Sequence, residues 1–173
     1  MRFYVVLLMA ASVAVSAQAQ HEHHHQLSPY KDQAQQSVKA LTAKDVDNYL
    51  NGRGMGLAKP GELNGYPGPM HVLELTSEMR LTTEQKNRIQ QIYDEMHRKA
   101  VELGAQIVRK ETELDQLFAK RQITPEALQT FTGTLGSLQG ELRNVHLVAH
   151  LETAKILSPE QVAEYNKRRG YAH

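Results

Sequence analysis

Two long stretches of helical periodicity meet at a four-residue break, and nothing else in the chain constrains the fold as strongly. In the first stretch, Ile89, Ile92, Met96, Leu103, Ile107, Leu114 and Leu117 recur at three- and four-residue spacing, with Ala100 filling one turn. The second carries Leu128, Phe131, Leu135, Leu138, Leu142, Val145, Ala149 and Ile156 on one seam. Between them lies Gln122-Ile123-Thr124-Pro125, in which Thr124 suits a helix cap and Pro125 a first helical turn. The spacing predicts helices over Thr83 to Arg121 and over Pro125 to Leu157. A link this short makes them antiparallel neighbours. Shorter helices are expected over Thr42 to Leu50, capped by Thr42 with Asp45 three residues on, over Met70 to Met79, and over Pro159 to Lys167. Aromatic residues are only 6%, which argues against a β-sandwich. The expected fold class is all-α: a long antiparallel helical hairpin with short flanking helices, a four-helix, bundle-like arrangement.

The N-terminal part divides differently. Arg2 followed by the apolar run Phe3 to Val15 and by Ala17-Gln18-Ala19 has the layout of a secretory signal, too short to span a bilayer. Residues 1–19 are therefore expected to be removed on export to the periplasm, with no transmembrane segment afterwards. Absence of cysteine suits that compartment and excludes disulfides, Cys-based zinc sites and thiol nucleophiles. Residues 20–69 make up a His-rich leader, a short helix and a Gly/Pro-rich loop. The leader carries His21, His23, His24 and His25, which are either metal-binding imidazoles or an unselected polar tail. Six Gly and three Pro fall within residues 52–69, a composition that predicts a loop wrapped on or tethered to the domain and no helix. Residues 70–169 form the hairpin domain, and 170–173 a tail.

A five-residue pattern occurs twice, as Leu81-Thr82-Thr83-Glu84-Gln85 and Leu157-Ser158-Pro159-Glu160-Gln161. Each reads as a capping box: the hydroxyl of Thr82 or Ser158 accepts from the third helical N–H, and Gln85 or Gln161 reaches back to the cap. Leu81 and Leu157 are placed to staple the helix start. Folding the hairpin brings the two copies to the same end. On these residues the sequence resembles the Spy/CpxP family of periplasmic helical proteins, defined by paired LTxxQ motifs, together with related periplasmic heavy-metal sensors and zinc-resistance proteins. The resemblance runs from about Tyr66 to Tyr171. It takes in Gly65-Tyr66-Pro67-Gly68-Pro69, His71 to Leu75, His146 to Leu151 and the closing Tyr165 to Tyr171 stretch. It implies an ATP-independent refolding chaperone or stress-response adaptor, a homodimer of curved hairpins, with metal binding in the sensor branch.

Several side chains could carry chemistry. His146 and His150 lie four apart on one helix face, so both imidazoles can share a metal. Folding about residue 123 sets His150 level with Met96 and His97, and His71 on the preceding helix reaches the same end. A site for Zn2+, Ni2+ or Cu2+ built from these residues competes with a reading of them as structural or solvated histidines. The position four after His71 is Leu75, which departs from the paired-histidine pattern of metal-sensor relatives. No catalytic constellation emerges, and a formal charge of +1 does not favour nucleic acid. Opposite the seams, Val101, Ala105 and Val108 on one long helix and Gly133, Gly136, Gly140, Leu147 and Leu151 on the other form a weakly apolar second face. That face either packs on the N-terminal segment or serves as a dimer contact or client cradle.

Two functions follow. The first is a periplasmic, ATP-independent chaperone or envelope-stress protein that binds unfolded or partner proteins and needs no cofactor. The second is a heavy-metal sensing or buffering protein using the helix and leader histidines, with a sensor kinase or other metal-response protein as partner.

Overall fold

The computed structural model describes residues 28–171; the signal-like segment, the leader histidines His21, His23, His24 and His25, and residues 172–173 lie outside them. Regular structure among the described residues is helical throughout. After a 3-10 turn at Lys31–Gln33 come α1 (Ala43–Leu50), α2 (Lys59–Glu62), α3 (Pro69–Glu74), α4 (Thr83–Ala119), α5 (Pro125–Ile156) and α6 (Pro159–Arg169). No helix among them is long and apolar enough to cross a membrane.

The hairpin of α4 and α5 forms as its sequence dictates. Thr124 caps α5, its hydroxyl accepting from the Ala127 N–H at 3.2 Å, and Pro125 opens the first turn where no N–H is needed. Two apolar clusters hold the molecule. At the open end Val72, Met79, Ile89, Leu157 and Tyr165 are buried together, joining α3, α4 and α6. Midway along the hairpin Ala100, Ile107, Leu135, Leu138 and Leu142 form the second cluster, with Tyr49 of α1 and Leu57 packed against it.

Three expectations need correction. The buried row of α5 runs Leu135, Leu138, Leu142, His146, Ala149 and Thr153, whereas Val145 is half-buried and Leu128 is exposed. The seam thus turns onto two polar residues; Thr153 meets the cost by donating to the Ala149 carbonyl at 2.7 Å. The helix expected from Met70 to Met79 stops at Glu74, because the Thr76 hydroxyl takes the Leu73 carbonyl at 2.6 Å and the chain turns back. Finally, the Gly/Pro-rich run does hold one helical turn, α2. A single turn tolerates Pro60 in its first positions, where a missing N–H costs nothing.

Residues 51–68 form a strap that runs from the end of α1 across the hairpin to α3. From Gln33 onward the chain makes one compact unit, so α1 and the strap fold with the hairpin. Gly104 shows how close the approach is: a Cβ there would stand 2.0 Å from the Tyr49 carbonyl oxygen. Gly52, at φ +57°, lies against Val101 and the His97 carbonyl, in a conformation few other residues adopt.

Candidate metal-binding cavity

The paired motifs anchor the open end. Thr82 and Ser158 each accept from the N–H of their own glutamine, at 3.1 and 3.2 Å, while the Gln85 and Gln161 side chains accept from the cap N–H groups at 3.0 and 2.9 Å. Beyond these two capping boxes the structure adds a cross-link. The Gln85 amide donates to the Gln161 side chain at 2.8 Å and to the Ile156 carbonyl, and the Gln161 amide donates to the Met79 carbonyl. Each glutamine therefore caps its own helix and ties it to the other. This fixes where the long helices lie against each other at that end, and so the height of the side chains on them.

Above that anchor, a cavity of about 770 Å³ opens between the hairpin and the strap. Met96 and His97 of α4, His146 and His150 of α5 and His71 of α3 all line it. The five metal candidates nominated from the hairpin domain thus come together around one space, among them the trio His150, Met96 and His97 that the register about residue 123 brings level. Glu62 of α2, with Arg169 at the end of α6, completes the polar lining.

Three of the four imidazoles are oriented by a specific acceptor. Nδ1 of His150 donates to the Tyr66 carbonyl at 2.8 Å, Nε2 of His97 to the Asn51 carbonyl at 3.2 Å, and Nδ1 of His71 to the Glu74 carboxylate at 2.8 Å. In the neutral form of each of these three rings the opposite nitrogen carries the lone pair that a metal requires. His146 is the buried member. Burial first, and then the fields of His150 and His97, push it down to about 4, so it is neutral at physiological pH. Its Nε2 is a buried nitrogen with no hydrogen-bond partner among the described residues.

Glu62 was not nominated from the sequence. Its side chain is 13% exposed and ends 3.6 Å from His150 Nδ1 and 3.5 Å from Arg169 Nε. One oxygen accepts from the Tyr165 hydroxyl at 2.5 Å; the other, Oε2, is buried and unpartnered among the described residues. Burial and the bond to Glu62 raise the Tyr165 phenol well above its usual range, so it stays a donor. Borderline imidazole nitrogens, a thioether and a carboxylate make a donor set that fits Zn2+, Ni2+ or Cu2+. Among the described residues, however, no three acidic or imidazole groups stand close enough to hold an ion as they are. The cavity gathers the donors on its walls without converging them.

Residues 54–164 match the family model described as heavy-metal resistance. The chain belongs to the heavy-metal resistance family. This agrees with the resemblance to Spy/CpxP-like proteins, and the matched span includes α2 to α5, hence every cavity residue named above except Arg169. No curated protein and no solved structure matches the chain.

The second face is divided between covered and open parts. On α4, Val101, Ala105 and Val108 are half-buried, with the strap at Gly52 against Val101. On α5, Leu147 is half-buried beside Gly61 of the strap, whereas Leu151, Gly133, Gly136 and Gly140 are exposed.

Proposed function

We propose that this member of the heavy-metal resistance family is an exported, periplasmic metal-binding protein that works by capture rather than catalysis, using the cavity between strap and hairpin. The observation that carries the reading is the gathering of His71, Met96, His97, His146, His150 and Glu62 on one cavity, with a buried, neutral His146 whose Nε2 has no partner among the described residues. A buried polar atom left unpaired is costly, and a ligand for it explains its retention. The leader histidines His21, His23, His24 and His25 would deliver or buffer the same ions. Calorimetric titration of zinc into the full chain, with those four replaced by Ala, tests the proposal. One saturable site is expected; no binding refutes it.

A second reading, an ATP-independent chaperone working as a homodimer, rests on a different feature. A groove of about 500 Å³ between α4 and α5 is lined by half-buried Ile92, Val145 and Ile156 and exposed Val148, flanked by Arg88, Lys99, Lys155 and the carboxylates of Glu95 and Glu152. Apolar contact with charges of both signs suits transient capture of unfolded envelope proteins.

A further inference from the structure

The strap is fastened to the hairpin in an unusual way. Apart from Gly68, its hydrogen-bonded backbone amides bond within α1 and the strap itself: Gly52 to Tyr49, Arg53 to Asn48, Leu57 to Gly54, Glu62 to Ala58 and Tyr66 to Gly61. Its hydrogen bonds to the hairpin and α6 are made by side chains, and there are four among the described residues. His97 holds the Asn51 carbonyl, His150 holds the Tyr66 carbonyl, and the Tyr165 hydroxyl both donates to Glu62 and accepts from the Gly68 N–H at 3.4 Å. Two of the four fasteners are therefore the cavity's own imidazoles, one near each end of the strap. The strap in turn carries Glu62, whose buried Oε2 lacks a partner among the described residues.

From this we infer that the strap is the moving wall of the cavity and that Glu62 is the donor it delivers, so that strap docking and cation capture are one coupled equilibrium. The inference rests on the metal-binding reading. An imidazole that gives its second nitrogen to a cation becomes a stronger donor through its first. Occupancy at His97 and His150 therefore tightens both ends of the strap. Convergence of the donors, which the present arrangement lacks, is reached by bringing the strap side toward the hairpin side. Tyr165 is the counterweight: it holds one Glu62 oxygen against α6 and leaves the other facing His150. By linkage, whatever loosens the strap weakens capture, and capture must restrain the strap equally.

The test is hydrogen exchange of residues 52–66, with and without zinc, on the full chain with His21, His23, His24 and His25 replaced by Ala. Zinc binding is followed in parallel by calorimetry. In that background zinc should slow strap exchange by about tenfold or more. Glu62→Gln, which keeps size and hydrogen bonding, should lose most of that slowing while exchange in α4 and α5 stays unchanged. Tyr165→Phe keeps the buried ring; its strap should exchange several-fold faster without zinc and recover with it. If zinc binds but strap exchange does not change, or if Glu62→Gln is slowed as fully as its parent, the coupling is overturned while the metal-binding reading stands. Should zinc fail to bind at all, both fall.

Discussion

Gly104→Ala offers a sharp test of how the N-terminal segment is seated. An added Cβ would lie 2.0 Å from the Tyr49 carbonyl oxygen and 2.7 Å from its carbon, both backbone atoms that no rotamer change can move. Restoring ordinary contact requires α1 to lift by roughly 1.4 Å, given normal separations of 3.4 Å and above. That motion loosens Tyr49 and Leu57 from the mid-hairpin cluster. Ala gains about 1 kcal/mol of helix propensity over Gly. Overpacking costs about 1–3 kcal/mol, with rigid backbone neighbours toward the upper end. The net expectation is a loss of about 2 kcal/mol, or a fall in Tm of roughly 4–8 °C for a chain of this size. Gly136→Ala is the matched control. Among the described residues nothing lies within 4 Å of its Cβ position, so only propensity acts, and the variant should gain about 1 kcal/mol. Thermal melts followed by far-ultraviolet circular dichroism read both. If Gly104→Ala is as stable as its parent, or rises with Gly136→Ala, then α1 is not seated as described.

Two further outcomes are expected. Replacing Gln85 or Gln161 by Ala removes a capping interaction and the cross-link together, and each should cost about 2 kcal/mol in urea unfolding. The double variant should cost less than the sum by at least about 0.5 kcal/mol, and strict additivity would refute the cross-link. With chelator present, stability should fall as pH drops from 6.5 toward 4. Folded His146 protonates only near 4, so in this window the unfolded chain binds the extra proton and is favoured, by up to the order of 3 kcal/mol. His146→Gln should flatten that part of the profile; an unchanged slope would mean His146 is solvated.

Much of this architecture was legible from residue order, and the parts that were not share a cause. Thr124-Pro125 marked the hairpin turn, and the two capping boxes marked the starts of α4 and α6, because caps act over three or four residues. Register about residue 123 was enough to bring Met96, His97 and His150 together, since helices of known pitch carry side chains to calculable heights. The Gln85–Gln161 cross-link joins residues 76 apart, and the Tyr165–Glu62 bond residues 103 apart, so no local pattern announces either. Glu62 sat in a Gly/Pro-rich run and carried no motif. His146 is absent from the apolar seam read along α5, yet the buried row reaches it, four residues beyond Leu142. An apolar pattern does not foretell which polar residue a helix will bury when a neighbouring wall offers a cavity. The strap's packing over Val101 and against Gly104 depended on a close backbone approach that only three dimensions disclose.

Whether the cavity histidines capture a metal ion is decided by a single comparison. Zinc is titrated into the full chain lacking the leader histidines, and into the same chain carrying His146→Ala and His150→Ala. Loss of two imidazole ligands should weaken binding by well over about tenfold, because affinity depends on ligand number. Equal affinity in the two proteins would contradict the claim.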